Sequence, residues 1–530
     1  SCRSYRRQAA CPSQNSQRGK IGHMTSPLMR PEPQASLADQ NTPGLSPLNL
    51  LRLSLFQGCL GCLAVVFAGM LNRVMISELA FPALLVGGGL AFEQLMSPSR
   101  VLFGHISDTW PIRGRRRTPY IWLGTAGFCL MAVLSIPVIF WTEQVLREGN
   151  WLSITTCSIA LCGLFALYGL AISMSTTPYL ALVIDLTTEK ERPRAVGVIW
   201  CMLTIGIIVG AISISFATKG LDGISDPILL QPALQKFMIW VVAFVFCISI
   251  FACWGMESKK PLPEDVLAAK RWERFRRYQK NTLVDVIMPD RAKQEFNDSE
   301  LQKEVGLMQA WSIVTSSRQV IIFFIFLSLY TLGLFLQDPI LESYGAEVFS
   351  LPIHQTTLLN AYWGVGTLIG LLLAGLWITP RLGKLETARM GCWMIFATLL
   401  LLMATGLTAN VKGLYFVMVL FGLAAGIATN SALVLMLDLT LPEMAGTFVG
   451  VWGLAQALSR AMGKVLGGGL LDLGRVLSGP DNPLLAFSFV FTLESILMIL
   501  AIVVLSNLNI RSFRHDTITK IETLLMADLD

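Results

Sequence analysis

Apolar stretches of bilayer length recur along almost the whole chain, and few folds can absorb that pattern. A backbone crossing lipid has no water for its N–H and C=O groups, so each stretch is expected to be an α-helix. The runs cover about 50–75, 81–103, 120–141, 151–184, 196–217 and 237–256. After a charged interval, further runs begin near residues 320, 356, 388, 414, 449 and 484, giving about twelve crossings. Composition agrees, with 53% hydrophobic and 14% charged residues, where soluble domains carry roughly a quarter charged. The expectation is an all-α polytopic membrane protein.

One short loop is densely charged. Residues 104–122 read GHISDTWPIRGRRRTPYIW and gather Arg113, Arg115, Arg116 and Arg117. Translocating such charge is costly, which holds the loop on the cytoplasmic side. Gly104 and Gly114 are expected to allow a tight turn there, and Asp108 to form charge-assisted hydrogen bonds across the helix ends. Arg381, Lys384 and Arg389, and in the tail Arg511, Arg514 and Lys520, fall on the same side. The opposite loops around 142–150 and 343–354 hold few or no basic residues. Both termini are therefore expected in the cytoplasm or stroma. A net charge of +6 fits loops facing anionic lipid, and nothing in the pattern suggests nucleic acid.

Five regions are expected. Residues 1–48 form a polar tail without the apolar core of a secretory signal, read as a disordered tail or as an upstream extension before a start at Met24. Residues 49–256 form one six-helix half, 257–317 a charged cytoplasmic connector, 318–508 a second half, and 509–530 a cytoplasmic tail. An internal echo supports two halves. ALVIDLTTEKERPRAVGV (181–198) parallels LVLMLDLTLPEMAGTFVGV (433–451): each has Asp-Leu-Thr, at Asp185 and Asp438, then Val-Gly-Val at one constant offset. The fold expected is a twelve-helix bundle of two six-helix repeats. The cysteines stand mostly singly in apolar runs and read as small buried hydrophobes, the Cys59–Cys62 pair included.

Two stretches carry a family resemblance. They are LNRVMISELAFPALLVG (71–87) and SPSRVLFGHISDTWPIRGRRRTPYIWLGT (97–125). Together they resemble the PucC (LhaA-like) family, the bacteriochlorophyll delivery family of the major facilitator superfamily, over about 50–508. Asn72, Arg73, Glu78 and Arg100 belong to its specific motif. The Gly104, Asp108 and arginine pattern resembles the loop between the second and third helices of that superfamily. There it serves as a cytoplasmic latch, to which Asp185 and Arg194 of the turn after the fourth run would contribute. The resemblance implies a protein of thylakoid or other photosynthetic membranes, on the oxygenic-phototroph branch. It would assist assembly of light-harvesting or photosystem proteins, binding or delivering chlorophyll or bacteriochlorophyll without catalysis.

Ionisable groups at membrane depth usually face the bundle interior or one another. Glu93, Arg460, Lys464 and Glu494 are such groups, and Gln456, Arg460 and Lys464 share one helix face. They form a stripe able to hold a ligand's acidic or carbonyl groups. The alternative is a structural lock between Arg460 and Glu494. Asp338 and Glu342 lie where Gln337 and Pro339 suggest a broken helix. Arg73 and Glu78 read as a snorkelling arginine and an interfacial acid. A chlorophyll magnesium needs an oxygen or nitrogen donor, for which His354, Asn360, Asn430 and Gln456 are candidates. Phe335, Tyr362, Trp363 and Trp452 offer ring surface or plain packing. A second functional reading is a proton-coupled transporter of a small organic solute with Glu93 as proton carrier. A pigment-biosynthesis enzyme lacks a nucleophile–base pair, a phosphate-binding glycine loop or a metal cluster to support it.

Overall fold

The computed structural model describes residues 45–112, 114–149, 151–187, 191–221, 227–257, 318–438, 445–479 and 482–508. Expectations for 1–44, 258–317 and 509–530, for Arg113, for 439–440, and for the side chains of Asp108, Arg194 and Asp438 lie outside the described residues. The first half begins with α1 (Pro47–Val65), which runs on through π-helical turns Val66–Leu71 and Val74–Glu78. Then follow α2 (Ala83–Leu95), α3 (Ser99–Thr109), α4 (Thr118–Glu148), α5 (Trp151–Leu186), α6 (Arg192–Thr218) and α7 (Pro227–Cys253). The second half has α8 (Arg318–Phe335), the short α9 (Leu341–Phe349) and α10 (Ile353–Thr356), and α11 (Leu358–Leu373). A π-helical turn, Ala374–Ile378, leads to α12 (Thr379–Leu382), followed by α13 (Lys384–Thr408), α14 (Val411–Asp438), α15 (Ala445–Ser478) and α16 (Pro483–Ser506).

Ten of these helical segments are long and apolar enough to cross a membrane. The remaining two crossings of the twelve are α2 with α3, and α15. The former is interrupted at 96–98, where Pro98 has no N–H to continue the ladder. The latter carries Arg460, Lys464, Asp472 and Arg475. These two crossings pack against each other across the halves. Facing protein instead of lipid, they are the two that can afford charge.

The halves repeat one pattern of neighbours. In the first, α1 packs on α6 and α7, α4 on α5 and α7, and α2 on α5. In the second, α8 packs on α15 and α16, α13 on α14 and α16, and α11 on α14. The echo around Asp185 and Asp438 falls at matching places: each aspartate stands in the last two residues of its helix, and the next helix opens seven residues later, at Arg192 and Ala445. Two cross-half contacts, α2 with α15 and α6 with α11, join the six-helix units.

One expectation is corrected. Gly104 lies inside α3 rather than at a turn. The turn belongs to Gly114 (φ 75°), flanked by reciprocal backbone hydrogen bonds between Ile112 and Arg115.

Apolar side chains gain little from leaving lipid for a protein interior, so helices here associate through close backbone approach at small residues. A Cβ on Gly468 of α15 would stand 2.1 Å from the Ala83 carbonyl oxygen of α2. Gly468→Ala is therefore expected to destabilise the protein by about 1–3 kcal/mol through overpacking. At Gly453, on the same helix, a Cβ would meet nothing within 4 Å. Gly453→Ala should be neutral or stabilising by up to about 1 kcal/mol through helix propensity. Melting temperatures of the two variants in detergent, moving in opposite directions from wild type, are the check.

Candidate functional site

The arginine turn is anchored within the first half. Glu257, just past α7, caps the start of α4: its carboxylate accepts hydrogen bonds from the backbone N–H groups of Arg116 (2.6 Å), Arg117 (3.0 Å) and Thr118 (2.8 Å). Burial pushes this carboxyl up, but the hydrogen bonds from Thr118, Arg116 and Arg117 outweigh it and leave it below the ordinary range. The Arg117 guanidinium reaches Ser107 of α3 (2.8 Å) and Asp185 at the end of α5 (3.3 Å). Arg52 of α1 donates to the carbonyls of Phe251 (2.7 Å) and Trp254 at the end of α7. Five crossings are thereby tied at one end. Arg117 and Asp185 meet as a latch would require, while Arg115 has its backbone in the turn.

At the opposite end, polar contacts cross between the halves. Arg73, between the two π-helical turns of the first crossing, is 4% exposed. It donates to Thr356 Oγ1 (2.6 Å) and the Leu351 carbonyl (3.0 Å) of the second half, and pairs with Glu78 (3.1 Å). This overturns the reading of Arg73 as a snorkelling side chain; buried acceptors from the other half hold it instead. Glu347 of α9 accepts from Ser77 (3.2 Å) and from Arg475 of α15 (2.6 Å). Asp472 of α15 caps α2, accepting from the N–H groups of Ala83 (2.9 Å) and Leu84 (2.7 Å). The open N–H groups at a helix start make that carboxylate cap favourable.

Between the two ends lies a charged cluster on the seam. Lys464 Nζ stands 3.9 Å from Glu93 of α2 and 3.8 Å from Asp338. Asp338 sits in the break between α8 and α9, as its neighbours Gln337 and Pro339 suggested. Its carbonyl accepts a long hydrogen bond (3.4 Å) from Asn72 Nδ2 of the first half. Glu342, 2% exposed, accepts from Asn360 Nδ2 (2.5 Å) and Thr357 Oγ1 (3.5 Å). Arg460 lies over the Phe335 ring, 4.5 Å from its centroid. The lock between Arg460 and Glu494 is not formed: Glu494 is fully buried on α16, with neither carboxylate oxygen hydrogen-bonded among the described residues.

Of the candidate residues, Glu93, Asp338, Asn360, Lys464 and the motif residue Asn72 gather at this seam. Asn430 stands apart, beside Gly375 in the π-helical turn that follows α11. Trp452 is fully buried against Phe323 and Phe324, and Tyr362 stacks on Tyr415 at 4.7 Å, which makes both packing residues. Glu257, Glu347, Asp472 and Arg475 were missed by sequence reasoning. Asp472 and Arg475, a charged i,i+3 pair at the apolar end of α15, were the available signal.

Comparison with known proteins covers most of the chain. A family model described as PUCC protein matches residues 70–288 and 281–513. Protein PucC of Cereibacter sphaeroides is 29% identical over 481 residues, covering 88% of this chain and 93% of that protein. The bacteriochlorophyll synthase 44.5 kDa chain of Rhodobacter capsulatus is 28% identical over 468 residues, covering 86% and 94%. Among solved structures, a D-xylose–proton symporter aligns with a TM-score of 0.61 at 13% identity, covering 87% of this chain and 97% of the other. That likeness concerns the fold alone, the major-facilitator-type twelve-helix bundle.

Two outcomes are expected. Arg73→Ala leaves Glu78 without its cation in a buried site and should cost about 3–5 kcal/mol. Arg475→Ala, with a side chain 32% exposed, should cost about 1 kcal/mol or less; melting in detergent compares them. The Glu257 cap has a depressed carboxyl, so its contribution is full above the unfolded-state value and is lost as pH falls through the folded one. The melting-temperature gap between wild type and Glu257→Gln should be widest near neutral pH and narrow as the pH falls below the ordinary carboxylate range.

Proposed function

This chain belongs to the PUCC protein family, and on that premise we propose that it is a non-catalytic membrane factor for assembly of light-harvesting or photosystem chlorophyll-proteins. The observation that carries the reading is the family match, which spans both six-helix halves and the charged seam between them. A relative of nearly the same extent bears the name of bacteriochlorophyll synthesis. The role proposed is to bind chlorophyll or bacteriochlorophyll, or the proteins that receive it, in a thylakoid or other photosynthetic membrane. In this reading the arginine turn and both termini face the cytoplasm or stroma, as the bias of basic residues in the loops favours.

A strain lacking the gene is expected to accumulate less antenna complex, read from membrane absorption spectra. The full chain, tagged and purified from wild-type membranes, should bring pigment or antenna polypeptides with it. Normal antenna in the deletion strain, together with a purified chain free of both, would overturn this function.

A second reading rests on one contact. Glu93 and Lys464 face each other across the halves at 3.9 Å, and protonating Glu93 would weaken that tie. Proton-coupled transport of a small organic solute would use such a switch. It predicts vesicle uptake that follows a pH gradient and is lost in Glu93→Gln; uptake indifferent to both removes it.

A further inference from the structure

Glu342 is a buried carboxyl of the second half whose hydrogen-bond partners are all neutral. Asn360 donates to its Oε1, and Thr357 Oγ1 lies 3.5 Å from its Oε2. No ion pair reaches it among the described residues. Arg73, the cation whose charge acts on it, is paired with Glu78 and donates to Thr356 and the Leu351 carbonyl. The Thr357 hydroxyl has a single proton, and the Ile353 carbonyl stands closer to it, at 3.0 Å. That arrangement turns a Thr357 lone pair towards Glu342. A carboxylate would draw a hydroxyl donor in to about 2.5–2.7 Å. A neutral carboxyl group fits instead: its carbonyl oxygen accepts from Asn360, and its O–H points at Thr357. Burial acts in the same direction, pushing this carboxyl up to about 8 against the pull of Arg73, Thr357 and Asn360.

The cover over the carboxyl comes from the other half. In the π-helical turn Val66–Leu71 of the first crossing, a Cβ on Gly69 would stand 2.1 Å from Glu342 Oε1 and 2.9 Å from Asn360 Nδ2. Asn72, three residues on, touches the Asp338 carbonyl. The first crossing thus lies directly on the carboxyl, and at Gly69 it brings no side chain that could shield it if the two halves moved apart. The other ionisable groups around α9 are Asp338, whose charge also acts on Glu342, Glu78 of the second π-helical turn, His354 of α10 and Glu494 of α16. Glu347, on α9 itself, is paired with Arg475.

We propose that Glu342 is a proton-binding site built into the seam: the halves close over the protonated carboxyl, and when they part its O–H bond breaks and the proton passes to entering water. Acid on the face opposite the arginine turn thereby favours closure at that end. The inference rests on the contacts across the seam and on neither functional reading above. The carboxyl is separate from Glu93, which faces Lys464.

The test follows the full chain in neutral detergent by hydrogen–deuterium exchange of residues 66–78, corrected for the intrinsic pH dependence of exchange. Glu342→Gln keeps the shape and the neutral hydrogen bonds of the acid. The carboxyl is raised in the closed state, so the stability it gives is full at low pH and is lost as pH rises towards about 8. For a single linked proton, opening of wild type should increase about tenfold per pH unit from roughly pH 5 upwards and level off near the buried value. Glu342→Gln should match wild type at about pH 5 and show no such rise. Infrared difference spectra of the two proteins at neutral pH should contain the C=O stretch of a protonated carboxyl. Equal pH dependence of exchange in both proteins overturns the proposal, as does a difference spectrum showing only a carboxylate. If the variant is not recovered folded, wild type alone decides: a flat exchange profile in 66–78 overturns the proposal. A rising profile supports it when the carboxyl C=O band fades over the same pH range.

Discussion

Backbone contact between α2 and α15 decides where charge can lie in this bundle. Gly468 lets the Ala83 carbonyl approach to a distance that no side chain would tolerate, and Asp472 caps α2 from the other half just beyond. Once the two helices are this close, their facing surfaces are shielded from lipid. Glu93, Arg460 and Lys464 then have protein or water as neighbours, and the cost of ionisable groups at membrane depth falls accordingly. The two most polar crossings are thus each other's solvent.

The two ends of the molecule are held differently. At the arginine-turn end, Glu257, Arg52 and Arg117 tie elements of the first half to one another. At the opposite end, Arg73, Glu347 and Asp472 tie one half to the other. The π-helical turns on either side of Asn72 and Arg73 belong to the same design. Such turns shift side chains relative to a regular helix, and here the residues between them are the ones that reach into the second half. Three of the residues that carry the sequence resemblance lie at the seam: Asn72 and Arg73 touch the second half, and Glu78 pairs with Arg73.

Much of the site was readable as a set of residues but not as a set of partners. Glu93, Lys464 and Asp338 announced themselves as charges in apolar runs. Their meeting at one point did not, because they come from three separate helical segments. Arg73 shows the limit most sharply: a long basic side chain near a helix end has every local reason to reach the surface. Only the placement of Thr356 and the Leu351 carbonyl beside it makes burial the better state. Arg460 and Glu494 likewise looked complementary by charge, yet Arg460 lies on Phe335 and Glu494 is buried with no hydrogen bond to its carboxylate among the described residues.

By itself the sequence determined that the chain is helical, roughly how many crossings it makes and that they repeat as two halves. Lipid cannot satisfy a bare backbone, so an apolar run of sufficient length has only one conformation open to it. The Asp-Leu-Thr echo carried the repeat for a similar reason, since equivalent helix ends need equivalent residues. Tertiary structure alone decided which faces meet, that Gly104 stays helical while Gly114 turns, and which cation finds which acid. Those outcomes depend on close approach between segments hundreds of residues apart in the chain, and a local pattern of apolar and charged residues holds no measure of that distance.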